Sequence, residues 1–184
     1  LFNIIRRGIR GTEMPSSPLT PSQVSSVAAY VKTLGRVAPE VVPGDDGRGA
    51  GVYAGLDCDR CHTLGGRGGV VGPALDDIGA RRSAAHLREA LIEPEAFVPN
   101  GFLQLRVITV DGRALSGVRV NEDGFSVQFR DLSGRLHSFW KTELETLEQQ
   151  WQRSPMRSYD ARLTAEQTDD LVAYLVSLKG ANTR

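Results

Sequence analysis

Two thiols and an imidazole stand together in this chain as Cys58-Asp59-Arg60-Cys61-His62. These are the only two cysteines among 184 residues, so no other disulfide or thiolate site competes for them. The spacing suits covalent haem attachment, in which the thiols add across two vinyl groups as thioethers and the adjacent imidazole turns toward the iron. Other uses need other surroundings. A redox dithiol needs only C-x-x-C, but is expected beside a strand-helix βαβ pattern, and the flanks here are Gly-rich loop. A structural zinc site needs four ligands, and the remaining histidines, His86 and His137, lie far from the motif and from each other.

Residues 63–75 (TLGGRGGVVGPAL) read as a loop with no regular structure until after Pro73. Alone, Gly72-Pro73 is an ordinary turn. Taken with the motif, the segment resembles class I cytochromes c, where a C-x-x-C-H helix is followed by a loop bearing Gly-Pro-x-Leu. The resemblance implies that the Pro73 carbonyl accepts a hydrogen bond from the second ring nitrogen of His62. Such a partner fixes the tautomer and makes the imidazole a better donor to a metal.

The chain also repeats itself. Leu19-Thr20-Pro21-Ser22-Gln23, then Tyr30 and Leu34, recur as Leu163-Thr164-Ala165-Glu166-Gln167, then Tyr174 and Leu178, at a constant offset of 144 positions. Each copy is preceded by one of the two methionines, Met14 and Met156. Thr20 with Gln23 and Thr164 with Gln167 fit a capping box, and Pro21 suits the first helical position. Apolar residues at helical spacing follow, with Gly35 and Gly180 as left-handed stops. A core stripe explains that periodicity by default. It also resembles the Met loop and C-terminal helix of class I cytochromes. On that likeness Met156 is the distal iron ligand, despite Pro155 before it and Arg157 after it in place of the usual Met-Pro order. Gly8 to Pro15 is similar to the Met loop of many bacterial cytochromes.

These readings organise the chain. Residues 1–36 are expected to be the C-terminal tail, Met loop and helix, of an incomplete cytochrome c domain whose haem-binding half is absent here. A degenerate domain that kept its helix for packing is the alternative. Were the missing half supplied, Met14 would ligate a second haem iron in the parent protein. Residues 37–46 read as a linker, and 47–184 as a haem c-binding domain whose first helix runs over about 46–56. The axial candidates, His62 and Met156, lie far apart in sequence, which implies an insertion. A capped helix over 83–92 is followed by a change of period to two. Four short strands are expected at 103–110, 114–120, 125–130 and 136–140, with Asp111-Gly112, Asp123-Gly124 and Ser133-Gly134 at the turns. Residues 142–151 would close this β insertion, about 102–140, with a helical or irregular piece. The expected fold class is therefore mainly α, cytochrome c-like helices around haem, with an inserted antiparallel β-meander.

Ile78-Gly79, Glu93-Pro94, Asp111-Gly112, Gly117 and Ser154-Pro155-Met156 follow one another in the order of the haem-binding domain of planctomycete and acidobacteria type. The chain resembles that family over about 47–180. The resemblance implies a periplasmic electron-transfer module holding one covalent haem c through Cys58 and Cys61. His62 and Met156 would be its axial ligands and Pro73 the support of His62. Such a module carries electrons rather than catalysing, and serves redox protein partners or a fused or associated dehydrogenase. The alternative is a peroxidase or gas sensor with a displaceable sixth ligand, for which His137 is a rival to Met156. His86 is expected at the surface, and Trp140 and Trp151 in the core or against the haem. Arginines near the motif or the Met loop (Arg60, Arg67, Arg81, Arg82, Arg153, Arg157) include candidates for pairing with haem carboxylates. The 22 basic and 22 acidic side chains balance, which gives no reason to invoke nucleic acid, and no apolar run has membrane-spanning length.

Overall fold

Thr20 and Thr164 start their helices in the same way. In each, the threonine hydroxyl accepts the N–H of the glutamine three residues on, and that glutamine returns a bond to the threonine N–H at 2.9 and 3.0 Å. Such a cap stabilises a helix end by about 1 kcal/mol. The structure, a computed structural model, describes residues 1–35 and 37–180. It divides into two units, Leu1–Arg36 and Val37–Arg184.

The first unit has a short helix α1 (Phe2–Arg7), the loop bearing Met14, and α2 (Pro21–Thr33). Its interior is small: Val24 and Ala28 are the buried residues of α2. Val27, Tyr30, Val31 and Leu34 are exposed.

The second unit opens with a segment tied down at three points. Val37 N–H donates to the Ala80 carbonyl, the Glu40 carboxylate accepts from Ala84 N–H, and Asp45 N–H donates to Asp170. Asp45 then caps α3 (Asp46–Gly55). After the Cys58–Arg60 turn come two short paired strands, β1 (Thr63–Leu64) and β2 (Arg67–Gly68), then α4 (Ile78–Arg81) and α5 (Ala84–Ile92), whose cap is Ser83. The last helix, α6 (Ala165–Ser177), supports the others. α3 crosses it at Gly49, where a Cβ would lie 2.0 Å from the Asp170 carbonyl oxygen, and α4 crosses it at Gly79, where a Cβ would lie 2.1 Å from that of Val176. Only glycine permits backbones to approach so closely. Tyr53, Leu75, Ile78, Leu87, Leu91, Leu171 and Leu175 fill the space between these helices.

Between α5 and α6 lie five antiparallel strands: β3 (Gln104–Thr109), β4 (Ala114–Glu122), β5 (Ser126–Arg130), β6 (Leu136–Trp140) and β7 (Leu144–Gln150). Their spatial order is β6-β5-β4-β3-β7. The two edge strands are thus consecutive in sequence, joined only by Lys141–Glu143. In a flat sheet those edges would lie about 19 Å apart, at roughly 4.8 Å per strand spacing. The connector spans at most about 14 Å. The sheet must therefore curl toward a barrel. The connector bridges the strands it passes, with Lys141 N–H donating to the Phe125 carbonyl and Val110 N–H to that of Glu143. Register shifts at Ile108/Thr109 and Arg119/Asn121 add curvature. Glu122 accepts bonds from Lys141 at 3.0 Å and Gln149 at 2.9 Å, tying β4 to the connector and to β7. Inside, Leu103, Leu105, Val107, Val127 and Phe129 form a second buried core.

This architecture corrects the expectation of a mainly α fold carrying an inserted antiparallel β-meander. The protein is mixed α and β, 37% helix and 20% strand, with a five-stranded sheet and a two-stranded one. The error has a physical source at residues 142–151, expected as a helical or irregular closing piece. Its two core leucines, Leu144 and Leu147, stand three positions apart because the register with β3 shifts between Ile108 and Thr109, so no period of two shows in the sequence, yet the segment pairs with β3 as a full strand. That fifth strand turns a meander into a curled sheet with its own core. The loop after His62 is likewise more regular than expected, because Thr63 and Leu64 pair with Gly68 and Arg67.

Candidate functional site

A left-handed residue, Asp57 at φ 54°, ends the run out of α3 and starts a single 3-10 turn over Cys58–Arg60. The turn closes when Cys61 and His62 N–H both donate to the Cys58 carbonyl, at 3.3 and 3.0 Å. Cys58 is half-buried and packs against the helical core, whereas Cys61 is exposed. Both thiols are free. Burial, reinforced by the nearby Asp59 carboxylate, pushes the Cys58 thiol up to about 11.

The glycine-rich loop is strapped over the motif. Gly69 N–H donates to the Asp59 carbonyl, Gly72 N–H to that of Cys61, and Leu75 N–H to that of Thr63, at 2.7, 2.8 and 2.9 Å. The Thr63 hydroxyl donates to the Gly69 carbonyl at 2.6 Å. These bonds bring Pro73 to His62, whose Nδ1 lies 2.8 Å from the Pro73 carbonyl oxygen. A carbonyl can only accept, so Nδ1 carries the proton and Nε2 keeps its lone pair. Burial lowers the His62 pKa, and the bond to Pro73 opposes that only in part, so the ring is held neutral. Gly72 lies flat on the ring: a Cβ there would sit 2.7 Å from Cε1 and 2.8 Å from Nδ1.

The Met156 loop is fixed from the α5 side. The Ser154 hydroxyl accepts Met156 N–H at 3.1 Å, the Ser158 hydroxyl donates to the Ile92 carbonyl, and Tyr159 N–H donates to that of Leu91. Arg153 pairs with Glu95 at 3.2 Å. Met156 is half-buried and packs on the same helical core as Cys58. An open cleft of about 530 Å3, lined by Ile92, Glu93, Pro94 and Arg157 among others, runs beside it.

Two further residues stand out that the sequence did not single out. Tyr53 is buried on the Cys58 side of the core, its ring centroid 5.5 Å from that of Tyr174, and its hydroxyl finds no hydrogen-bond partner among the described residues. Burial pushes its pKa up to about 12. Asp170 is a buried carboxylate gripped by both arms of the Arg48 guanidinium at 2.7 Å, which holds it below the usual carboxylate range.

Other candidates fall elsewhere. His137 lies on β6 of the curled sheet, its Nε2 2.7 Å from Asp131 and its ring stacked on Phe129 and Phe139. His86 is half-buried with its ring edge-on to Phe97. Trp140 and Trp151, expected in a core or against a haem, are exposed, because both lie at strand ends on the outer face of the sheet region. Arg81 is engaged by Asp77 and the Ala74 carbonyl. Met14 belongs to the first unit and is exposed.

The donor set of Cys58, Cys61, His62 and Met156 fits a c-type haem. It offers two free thiols, a neutral imidazole with Nε2 available, and a thioether on the core that Cys58 shares. Among the described residues no three His, Cys, Asp or Glu side chains form a cluster able to hold a metal ion by themselves. No helix of the described residues is long and apolar enough to cross a membrane. Compared with known proteins, the chain matches no family model and no curated protein.

Proposed function

We propose that residues 37–184 form an electron-transfer module of the periplasm that carries one covalent haem c. The haem would supply a one-electron couple. Cys58 and Cys61 would hold it, His62 and Met156 would donate to its iron, and Pro73 orients His62. The observation that carries this reading is the 2.8 Å contact from His62 Nδ1 to the Pro73 carbonyl, directly after a C-x-x-C-H motif. That contact leaves Nε2 as the one ring atom available to iron.

Held by the His62 nitrogen and the Met156 thioether, such a haem would serve to carry electrons to redox partners or to an associated dehydrogenase. The experiment is a near-infrared spectrum of the oxidised protein. A sulfur-to-iron band that disappears in Met156→Ala supports the reading, as does carbon monoxide binding gained only in that variant. A high-spin ferric spectrum in the parent protein, with ready carbon monoxide binding, would instead identify a catalytic or gas-binding haem with a displaceable sixth ligand.

A further inference from the structure

Tyr53 is buried on α3, 7% exposed, with its ring in the core that α3 shares with α6. Packing against Tyr174 needs only the ring, and a phenylalanine would supply that. The hydroxyl needs a separate account. Among the described residues it is the one fully buried side-chain oxygen or nitrogen without a hydrogen-bond partner. An unpaired buried phenol is destabilising, so it calls for an acceptor. Water is a poor one here. An enclosed water needs at least about two polar partners, whereas the cluster that holds the ring is apolar, with Leu75, Ile78, Leu171 and Leu175 among its members. Cys58 is half-buried and packs on that same cluster. Of the neighbouring ionisable groups it bears most on the phenol, ahead of Asp59 and Tyr174.

We infer that the Tyr53 hydroxyl donates a hydrogen bond to the Cys58 sulfur once that sulfur is the thioether of an attached haem. The inference rests on the proposed function and deepens it. Attachment adds the Cys58 S–H across a vinyl double bond: sulfur bonds to one carbon and its hydrogen goes to the other. The sulfur then keeps lone pairs that only accept. The other polar atoms of a haem are poor candidates on this side. Its ring nitrogens are bound to iron, and its carboxylates hang from the edge opposite the vinyl groups. The bond would aim the positive end of the O–H dipole at the edge of the macrocycle, which favours reduced iron over oxidised. Tyr53 would thus tune the haem from the thioether side, as Pro73 does through His62.

The test is proton NMR of the full chain with its haem attached, in the reduced state. A slowly exchanging Tyr53 hydroxyl proton is expected, with cross-relaxation to the Cys58 β-protons. Tyr53→Phe keeps the ring and its packing on Tyr174, so it should remove only that proton and shift the midpoint potential downward. Tyr174→Phe is the control: it should leave both the Tyr53 proton and the potential as they are. A Tyr53 proton that exchanges rapidly, or that contacts water alone, would overturn the inference. So would an unchanged potential in Tyr53→Phe. A chain whose intact mass includes no haem would overturn the proposed function and this inference together. A haem-bearing chain with an unpaired Tyr53 would overturn the inference alone.

Discussion

His62 is set by its neighbours more than by its own position. The Gly72 backbone against its ring and the Pro73 carbonyl on Nδ1 leave it one orientation and one tautomer. Gly72→Ala would drive a methyl group into the ring and pull Nδ1–H from its acceptor. Leaving a buried donor unpaired costs about 1–3 kcal/mol. Chemical denaturation of the haem-free chain should show a loss of that size, and NMR of His62 should show its Nδ1 proton exchanging faster. Asp170 is the second such residue. Its folded pKa lies below that of an unfolded aspartate because Arg48 and Asp45 N–H bind the ionised form. The stabilisation is therefore complete above about pH 4 and fades as pH falls toward the folded pKa. Asp170→Asn should lower the Tm at neutral pH and shrink the difference in Tm between pH 7 and pH 3. An unchanged acid profile in that variant would show that the Arg48 grip contributes nothing.

At the scale of elements, α2, α3, α5 and α6 were legible in the sequence, the short α1 and α4 were not, and the sheet was legible only in part. Thr20, Asp45, Ser83 and Thr164 cap the helices that their patterns suggest, since a capping hydroxyl or carboxylate acts within four residues. The hairpin turns at Asp111-Gly112 and Ser133-Gly134 are local signals too. β7 was missed because its outward positions are glutamate and glutamine, and its place beside β3 depends on partners about forty residues away. The curl of the sheet follows from that placement, so it was equally hidden. The exposure of Trp140 and Trp151 has the same origin, since which face of an edge strand meets a core is decided by the closure. The core of the curled sheet makes a prediction of its own. Phe129 is fully buried at the centre of the second core, so Phe129→Ala should cost about 3–5 kcal/mol. Hydrogen exchange should show the loss in β3, β4 and β5 first.

For the whole molecule, the sequence placed the donors and the structure supplies the reasons they are held: a loop strapped over Cys58–His62, and a Met156 loop pinned to the end of α5. Pro73 was read through a resemblance, and the 2.8 Å bond gives it a physical role in this chain. Tyr53 and Asp170 were not legible as site neighbours because their roles arise where α3 crosses α6, a long-range contact without a local signal. The central claim is covalent attachment of one haem at Cys58 and Cys61. The most direct measurement is the intact mass of the chain after export in a host with haem-attachment machinery, repeated for Cys58→Ser with Cys61→Ser. The account predicts the polypeptide mass plus one haem, stable to acidified acetone, and the bare polypeptide mass for the double variant. A bare polypeptide from the parent chain, or pigment that acid acetone strips away, would contradict it.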